Sequence, residues 1–186
     1  MKLAFFGGTF NPPHKGHEMM INHCYDLFDQ LLIIPNRVSP EKLNNPPVSE
    51  FHRFNMLNIL IGNKNIKIDT FELDSSKDSY TYYTLEYLIQ NYTFSDLYII
   101  IGEDQLSNLF NWYKIDSILK RVEILCFKRE NISKRNDKLQ NIQYVQFNCS
   151  LSSSKIREMI KNNIPLKKET INQEVHKYIE DNNLYK

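Results

Sequence analysis

Residues 2–17 read KLAFFGGTFNPPHKGH, a short apolar run followed by a cluster of glycines, prolines and histidines. The apolar run, Lys2–Phe6, predicts a buried β-strand. Gly7 and Gly8 would let the backbone approach a ligand closely, and the loop then runs into a helix. Because free N–H groups at a helix N-terminus attract phosphate, this strand–loop–helix unit predicts a phosphate-binding turn.

Two histidines, His14 and His17, lie three residues apart and would share one face of a helical turn. Two imidazoles facing one anion would donate to a phosphate chain; the alternative is that they cap the helix start. The P-loop and dinucleotide-binding patterns are absent, and Ile21 stands where a zinc-protease helix needs its second histidine. Because no clear third ligand follows, no metal site is predicted.

A second unusual segment, LSSSKIRE, spans Leu151–Glu158. Its serines suit a helix N-terminus, but Lys155 and Arg157 follow at once, where cations are unfavourable unless an anion joins them. Serine hydroxyls, free N–H groups and Arg157 would form a second phosphate clamp. The alternative is an ordinary helix with exposed basic side chains.

Strands and helices alternate along the rest of the chain. Strands are predicted at Gln30–Pro35, Ile66–Leu73, Asp96–Ile101, Val122–Phe127 and Ile142–Phe147. Helices are predicted at Gly16–Phe28, after Ser49 (Phe51, Phe54, Leu57 and Ile61 inward), at Thr81–Tyr92 (Leu85, Leu88 and Ile89 inward), near Lys114–Leu119, and at Ser153–Lys161 and Thr170–Asn182. This order predicts an α/β fold, a Rossmann-like doubly wound parallel sheet with helices on both faces, in a single domain over residues 1–186. The loop after the first strand would then lie where such sheets bind ligands.

Bulk composition is ordinary for a globular protein: 186 residues, 41% hydrophobic, 24% charged, net charge +1. No apolar run approaches a membrane span, and the basic stretch Lys128–Lys138 is interleaved with acids, so neither membrane nor nucleic-acid binding is expected. Cys24, Cys126 and Cys149 form no CxxC pair and are expected to be small buried thiols. A cytoplasmic protein is expected, and the sequence leaves open whether it forms a homo-oligomer.

The two phosphate motifs together resemble the nucleotidylyltransferase superfamily, whose members carry Gly-x-[TS]-Phe-[DN]-Pro-x-His-x-Gly-His early and Ile-Ser-[ST]-[ST]-x-Ile-Arg late. These patterns match Gly7–His17 and Leu151–Arg157, with Leu151 in place of isoleucine. Within the superfamily the chain is most similar to the bacterial nicotinate-nucleotide adenylyltransferases. That similarity extends to Ser79–Leu85 (SYTYYTL), to Ile100–Asp104 (IIGED), to Trp112 and to the segment Tyr178–Tyr185.

The resemblance implies transfer of AMP from ATP to nicotinate mononucleotide, giving deamido-NAD and pyrophosphate, with Mg²⁺ arriving on ATP. It implies catalytic roles for His14, His17 and Arg157. ATP-binding residues would be Gly7, Gly8, Thr9, Phe10, Asn11, Ser152, Ser153 and Ser154. Mononucleotide-binding residues would be Lys42, Thr81, Gly102, Asp104, Trp112 and Tyr113. Trp112 would stack on the pyridine ring and Asp104 would accept from ribose hydroxyls, whereas Lys42 would contact a phosphate or be a solvated loop lysine.

Two other functions remain open at this point. A pantetheine-phosphate adenylyltransferase would share both phosphate motifs, although the SYT and IIGED segments and Trp112 argue against it. A non-catalytic adenine-nucleotide-binding protein would not need both histidines together with Arg157.

Overall fold

The computed structural model describes residues 1–37, 47–75, 79–128 and 141–186. Six strands of these residues form one parallel sheet in the order β3-β2-β1-β4-β5-β6. The strands are β1 (Lys2–Gly8), β2 (Gln30–Pro35), β3 (Lys67–Ile68), β4 (Asp96–Gly102), β5 (Glu123–Lys128) and β6 (Ile142–Gln146). This is the strand order of a doubly wound nucleotide-binding sheet, so the predicted fold class is confirmed.

Helices cover both faces of the sheet. In the described residues they are α1 (Lys15–Tyr25), α2 (Glu50–Ile61), α3 (Phe71–Asp74), α4 (Thr81–Asn91), α5 (Glu103–Asn108), α6 (Ile115–Leu119), α7 (Ser153–Lys161) and α8 (Gln173–Asp181), with a 3₁₀ turn at Leu109–Asn111. Buried side chains of α1, α2, α7 and α8 pack on one face and those of α4 and α6 on the other. None of these helices is long and apolar enough to cross a membrane.

Strand β1 shows why both faces are covered. Ala4 and Phe6 belong to one core cluster, whereas Leu3 and Phe5 belong to the other. Successive side chains of a strand point to opposite faces, so an uninterrupted apolar strand has to be buried on both sides.

The strand predicted over Ile66–Leu73 is much shorter in the structure. Strand β3 holds only Lys67 and Ile68, and Phe71 already begins α3. The Asp69 backbone N–H still donates to Ile33 O at 2.9 Å, but its carboxylate accepts from the Phe71 N–H at 3.0 Å. That local turn competes with extended pairing and ends the strand.

The predicted inward faces of two helices were partly wrong. In α2, Phe51 is 67% exposed, while Arg53 is fully buried together with Met56 and Leu57. In α4, Ile89 is 42% exposed, and Thr84 is buried beside Leu85 and Leu88. In both helices a hydrogen-bonded polar residue occupies a core position that hydrophobic spacing assigns to an apolar one.

The order of the sheet places two loops side by side. Strands β1 and β4 are neighbours, and the connections leave them in opposite directions across the sheet. The crevice outside their carboxyl ends is the topological switch point, where doubly wound sheets bind ligands. The turn after β1 and the start of α5 after β4 both border this crevice.

Candidate active site

The turn after β1 differs from its sequence-based description. Gly7 and Gly8 still belong to β1, and the left-handed residue of the turn is Phe10, with φ 50°. The Phe10 ring folds back onto the strand, so a Cβ on Gly8 would lie 3.1 Å from it. Gly8 is therefore required by the packing of Phe10, which is itself 2% exposed and sits edge-on to Phe6.

The two histidines cap α1 and face each other. His14 is the N-cap: its Nδ1 accepts from the Gly16 N–H at 3.1 Å, and Nδ1 of His17 accepts from the His14 N–H at 3.1 Å. Their rings stack with centroids 3.8 Å apart. Because both Nδ1 atoms are acceptors, this hydrogen bonding assigns the proton of each neutral ring to Nε2. Capping and donation to an anion are thus compatible in the same residues.

Gly16 lies where α1 comes close to the His14 ring and to Cys149. A Cβ there would lie 2.9 Å from Cε1 of His14 and 3.0 Å from Sγ of Cys149. Any larger residue would displace the His14 ring or the loop before α7. Cys149 is half-buried, so only Cys24 and Cys126 fit the expectation of buried thiols.

The serine-rich motif starts α7 and contacts the turn after β1 directly. Ser152 is the N-cap, and its hydroxyl accepts from the Lys155 N–H at 3.3 Å. Ser153 donates to Pro12 O at 2.9 Å. Arg157 donates to Asn11 O at 2.8 Å and to the Ser154 hydroxyl at 3.2 Å. The two motifs, about 140 residues apart in sequence, therefore form one connected cluster.

Arg157 lies beyond the first turn of α7, not within it as expected. It is the fifth residue of the helix, and its guanidinium reaches back to the turn after β1. Lys155 is the basic residue that does occupy the first turn, and it is exposed.

A buried arginine that sequence analysis missed links the neighbouring loops. Arg53 of α2 is 0% exposed and donates four hydrogen bonds to backbone carbonyls. The acceptors are Val48 O (3.1 Å), Thr9 O (2.9 Å), Asn36 O (2.6 Å) and Arg37 O (2.9 Å). It therefore ties the turn after β1 to the segment after β2. Burial lowers the pKa of its guanidinium. An arginine within a helical pattern gives no sequence signal for such a position.

The end of β4 carries two of the predicted mononucleotide-binding residues. Gly102 is the N-cap of α5, and Asp104 lies in the first turn, where its negative charge suits the helix dipole. A Cβ on Gly102 would lie 2.5 Å from Oδ1 of Asp104, so the carboxylate folds over the glycine. The exposed Asp104 is thus held close to the switch-point crevice.

Three other predicted mononucleotide-binding residues, Thr81, Trp112 and Tyr113, lie in or beside a group of aromatic rings. Thr81 begins α4, and Trp112, half-buried against the core, follows the 3₁₀ turn. Tyr113 is 41% exposed, and its ring lies 5.3 Å from that of Tyr80, which precedes Thr81. The structure therefore brings the start of α4 and the Trp112–Tyr113 segment together.

Lys42 and residues 129–138 of the predicted basic loop lie outside the described residues. Within the described residues, no three His, Cys, Asp or Glu side chains are grouped to hold a metal ion.

Comparison with known proteins gives one consistent family. Residues 5–159 match the cytidylyltransferase-like family model. The chain is 35% identical to nicotinate-nucleotide adenylyltransferase of Bacillus subtilis (strain 168), over 99% of this chain and 98% of that protein. It is 34% identical to a probable nicotinate-nucleotide adenylyltransferase of Caldicellulosiruptor bescii, over the full length of both.

Solved structures share the fold. Nicotinic acid mononucleotide adenylyltransferase of Plasmodium falciparum superposes with a TM-score of 0.76 in its complex with APC, at 24% identity and 99% and 96% coverage. Its complex with NaAD gives a TM-score of 0.77 at 23% identity, covering 99% and 97%. From the family match and the full-length identities, the chain belongs to the cytidylyltransferase-like family and, within it, to the nicotinate-nucleotide adenylyltransferases.

Proposed function

We propose that this protein transfers AMP from ATP to nicotinate mononucleotide, giving nicotinate adenine dinucleotide and pyrophosphate in NAD biosynthesis. The observation that supports this proposal most directly is the hydrogen bonding between the two phosphate motifs: Ser153 donates to Pro12 O and Arg157 donates to Asn11 O. It gathers imidazole, hydroxyl and guanidinium donors at one end of the sheet. The curated relatives at 34–35% identity carry the corresponding name.

The reaction needs donors rather than a base. A phosphate oxygen of the mononucleotide attacks the α-phosphorus of ATP, and the bond from that phosphorus to the bridging oxygen breaks. Pyrophosphate leaves with the electron pair, and no proton has to be removed because the attacking phosphate is already ionised. Catalysis then rests on alignment and on stabilising charge on the phosphates. His14, His17 and Arg157 are proposed to supply that stabilisation.

The proposed ATP subsite surrounds the turn after β1. Backbone groups of Gly7, Gly8, Thr9 and Phe10 would border the nucleotide, because Thr9 and Phe10 are buried and offer little side-chain surface. Asn11 and the hydroxyls of Ser152, Ser153 and Ser154 would contact the phosphates, as expected for a helix N-terminus.

The proposed mononucleotide subsite lies beyond β4. Trp112 would stack on the pyridine ring, with Thr81 and the Tyr113 backbone N–H on the carboxylate, and Asp104 and Gly102 on the ribose. The proximity of Tyr80 to Tyr113 supports this grouping. The proposal includes Lys42 as a phosphate contact.

We propose that Mg²⁺ enters as part of the substrate, bound to ATP. The donors of the site are amide, hydroxyl, imidazole and guanidinium groups, which suit phosphate oxygens. Mg²⁺ commonly keeps waters and phosphate oxygens as ligands. Rates measured over a grid of ATP and Mg²⁺ concentrations should follow the concentration of the complex; a rate that follows free ATP instead would contradict this.

We also propose a cytoplasmic location and self-association. Cys24, Cys126 and Cys149 are free thiols, which suits a reducing compartment. The exposed rings of Phe51 and Phe110 support contacts between copies. Cell fractionation and sedimentation equilibrium would test the two statements separately.

The function is tested by pyrophosphate release from ATP with three acceptors: nicotinate mononucleotide, nicotinamide mononucleotide and phosphopantetheine. We expect release with nicotinate mononucleotide and a product with the mass of nicotinate adenine dinucleotide. Reaction with phosphopantetheine alone would assign the other transferase of the superfamily. ATP binding without release from any acceptor would indicate a non-catalytic nucleotide-binding protein.

A further inference from the structure

Asn11 is held from three directions. Its backbone O accepts from Arg157 at 2.8 Å, and its side-chain Oδ1 accepts from the Val48 N–H at 3.4 Å and from the Tyr185 hydroxyl at 2.7 Å. The side chain is 8% exposed. Tyr185 lies in the segment after α8, 174 residues along the chain from Asn11.

These contacts decide which way the Asn11 carboxamide points. A backbone N–H only donates, so the carboxamide atom that faces Val48 must be the oxygen. Tyr185 must then be the donor to the same oxygen. The Nδ2 group consequently points away from both.

The Nδ2 group of Asn11 lies on the side of the carboxamide that faces away from Val48 and Tyr185. Within the described residues it has no acceptor. An amide donor beside His14 and α7 suits a phosphate oxygen.

The segment that carries Tyr185 is firmly attached to the core. Leu184 is 8% exposed, and its N–H donates to Ile179 O at 3.0 Å. Tyr185 itself adopts φ 66°, a left-handed conformation that is uncommon for a bulky residue and here directs the ring towards Asn11. Burial raises the pKa of the Tyr185 hydroxyl, which keeps it protonated as a donor.

We propose that Tyr185 is a positioning residue for adenylyl transfer: its hydroxyl holds the Asn11 carboxamide so that the NH₂ group faces the ATP phosphates. This rests on the proposed function. Without the hydroxyl, the long contact from Val48 is the one hydrogen bond among the described residues that still favours that orientation. A rotated carboxamide would turn its oxygen towards the phosphates and repel them.

The test replaces Tyr185 by phenylalanine and compares it with Tyr178→Phe. The Tyr178 hydroxyl lies 2.9 Å from His52 Nδ1 and 3.1 Å from Asn55 Nδ2, so its hydrogen bonds go to α2 and not to Asn11. We expect Tyr185→Phe to lower kcat/KM for ATP about 10-fold, the worth of roughly one hydrogen bond, with little change in KM for nicotinate mononucleotide. Tyr178→Phe should leave both constants near those of the wild type.

A double-mutant cycle shows whether Tyr185 acts through Asn11. In an Asn11→Ala background, Tyr185→Phe should have no further effect on kcat/KM for ATP. Full additivity of the two substitutions, or an equal effect on both substrates, would overturn the proposal. A wild-type protein inactive with nicotinate mononucleotide would instead refute the proposed function, whereas an active wild type matched by Tyr185→Phe would refute the positioning role alone.

Discussion

The two ring nitrogens of His17 have different parts in the proposed site. Its Nδ1 accepts from the backbone of His14 and so helps to start α1, while Nε2–H is the donor proposed for the phosphates. The stacked His14 ring is fixed by the same hydrogen-bond pair. The helix cap thus holds both proposed donors in place before the reaction, so the two rings do not have to reorient when charge develops on the phosphates.

We predict that His17→Ala lowers kcat on the order of 10²–10³-fold, with a smaller effect on substrate KM, because a transition-state donor is lost. The steady-state assay with ATP and nicotinate mononucleotide measures this. His176→Ala is the control, since His176 lies on α8 and, among the described residues, its ion pair is with Glu180, at 3.7 Å. Turnover of His17→Ala close to that of the wild type would remove His17 from the mechanism.

Arg53→Met should destabilise the protein on the order of 3 kcal/mol, because several buried carbonyls lose a charged donor. Denaturant unfolding of both proteins measures the change in the free energy of unfolding. Loss of activity should accompany it, since Thr9 and Asn36 are no longer joined.

The matched control for Arg53 is Arg121→Met. Arg121 forms a 2.6 Å ion pair with Glu86, but both side chains are about one-third exposed. Exposed pairs contribute less than about 1 kcal/mol, so this variant should unfold close to the wild type. Equal destabilisation by the two substitutions would contradict the linking role of Arg53.

At the scale of elements, α1 and the loop before α7 meet at Gly16. Gly16→Ala should reduce kcat by roughly 10–100-fold, because the new Cβ would displace the His14 ring, and small displacements of aligned groups are costly. Thermal stability should change little, because the higher helix propensity of alanine offsets the strain of the close contact. Kinetics and thermal unfolding of the same variant separate the two effects.

Gly62→Ala is the control for Gly16→Ala, because we expect it to change stability and not kcat. Gly62 ends α2 with φ 60°, and no heavy atom lies within 4 Å of an added Cβ. That variant should lose about 1 kcal/mol of stability through backbone strain and keep its kcat. If Gly16→Ala behaved in the same way, the contact with His14 would have no catalytic importance.

The segment between α5 and α6 contains Trp112, the ring proposed to stack on the pyridine ring of the mononucleotide. Trp112→Ala should raise KM for the mononucleotide on the order of 10-fold or more and leave KM for ATP nearly unchanged, because stacking on the pyridine ring is lost. Phe110→Ala, two residues earlier and 50% exposed, is the control and should change neither. Equal increases for both substrates would argue against stacking.

At the scale of the whole molecule, one buried carboxyl makes stability depend on pH. Glu72 is 8% exposed, its Oε1 accepts from the Thr84 hydroxyl, and burial raises the pKa of the carboxyl. Because its folded pKa lies above its unfolded pKa, its stabilising contribution is complete below the unfolded value and is lost as pH rises through the folded value.

Glu72→Gln should therefore raise the Tm at about pH 8 and change it little at low pH, where the wild-type carboxyl is protonated in both states. The amide oxygen keeps the hydrogen bond from Thr84. Glu86→Gln should show the opposite sign: hydrogen bonding to Arg121 lowers the pKa of Glu86, so this variant should lose a small amount of stability near neutrality and none in acid, in keeping with an exposed pair. A Tm difference for Glu72→Gln that does not vary with pH would contradict the assignment.

The sequence alone determined the fold class, the strand–turn–helix unit at Gly7–His17, the serine-capped start of α7 and the family. These depend on local patterns: apolar runs of strand length, helical spacing, and glycine, proline and serine at helix starts. Such patterns are present in the chain before it folds, so they can be recognised without coordinates.

Only the tertiary structure decided which residues support the site. The burial of Arg53, the exposure of Phe51, the left-handed Phe10 and the contact of Tyr185 with Asn11 depend on groups far apart in sequence. Hydrophobic spacing cannot anticipate a buried guanidinium, because its stability comes from carbonyls of two separate loops, the one after β1 and the one between β2 and α2. Periodicity records where a side chain points along its own element, whereas a hydrogen bond depends on what the rest of the molecule places opposite it.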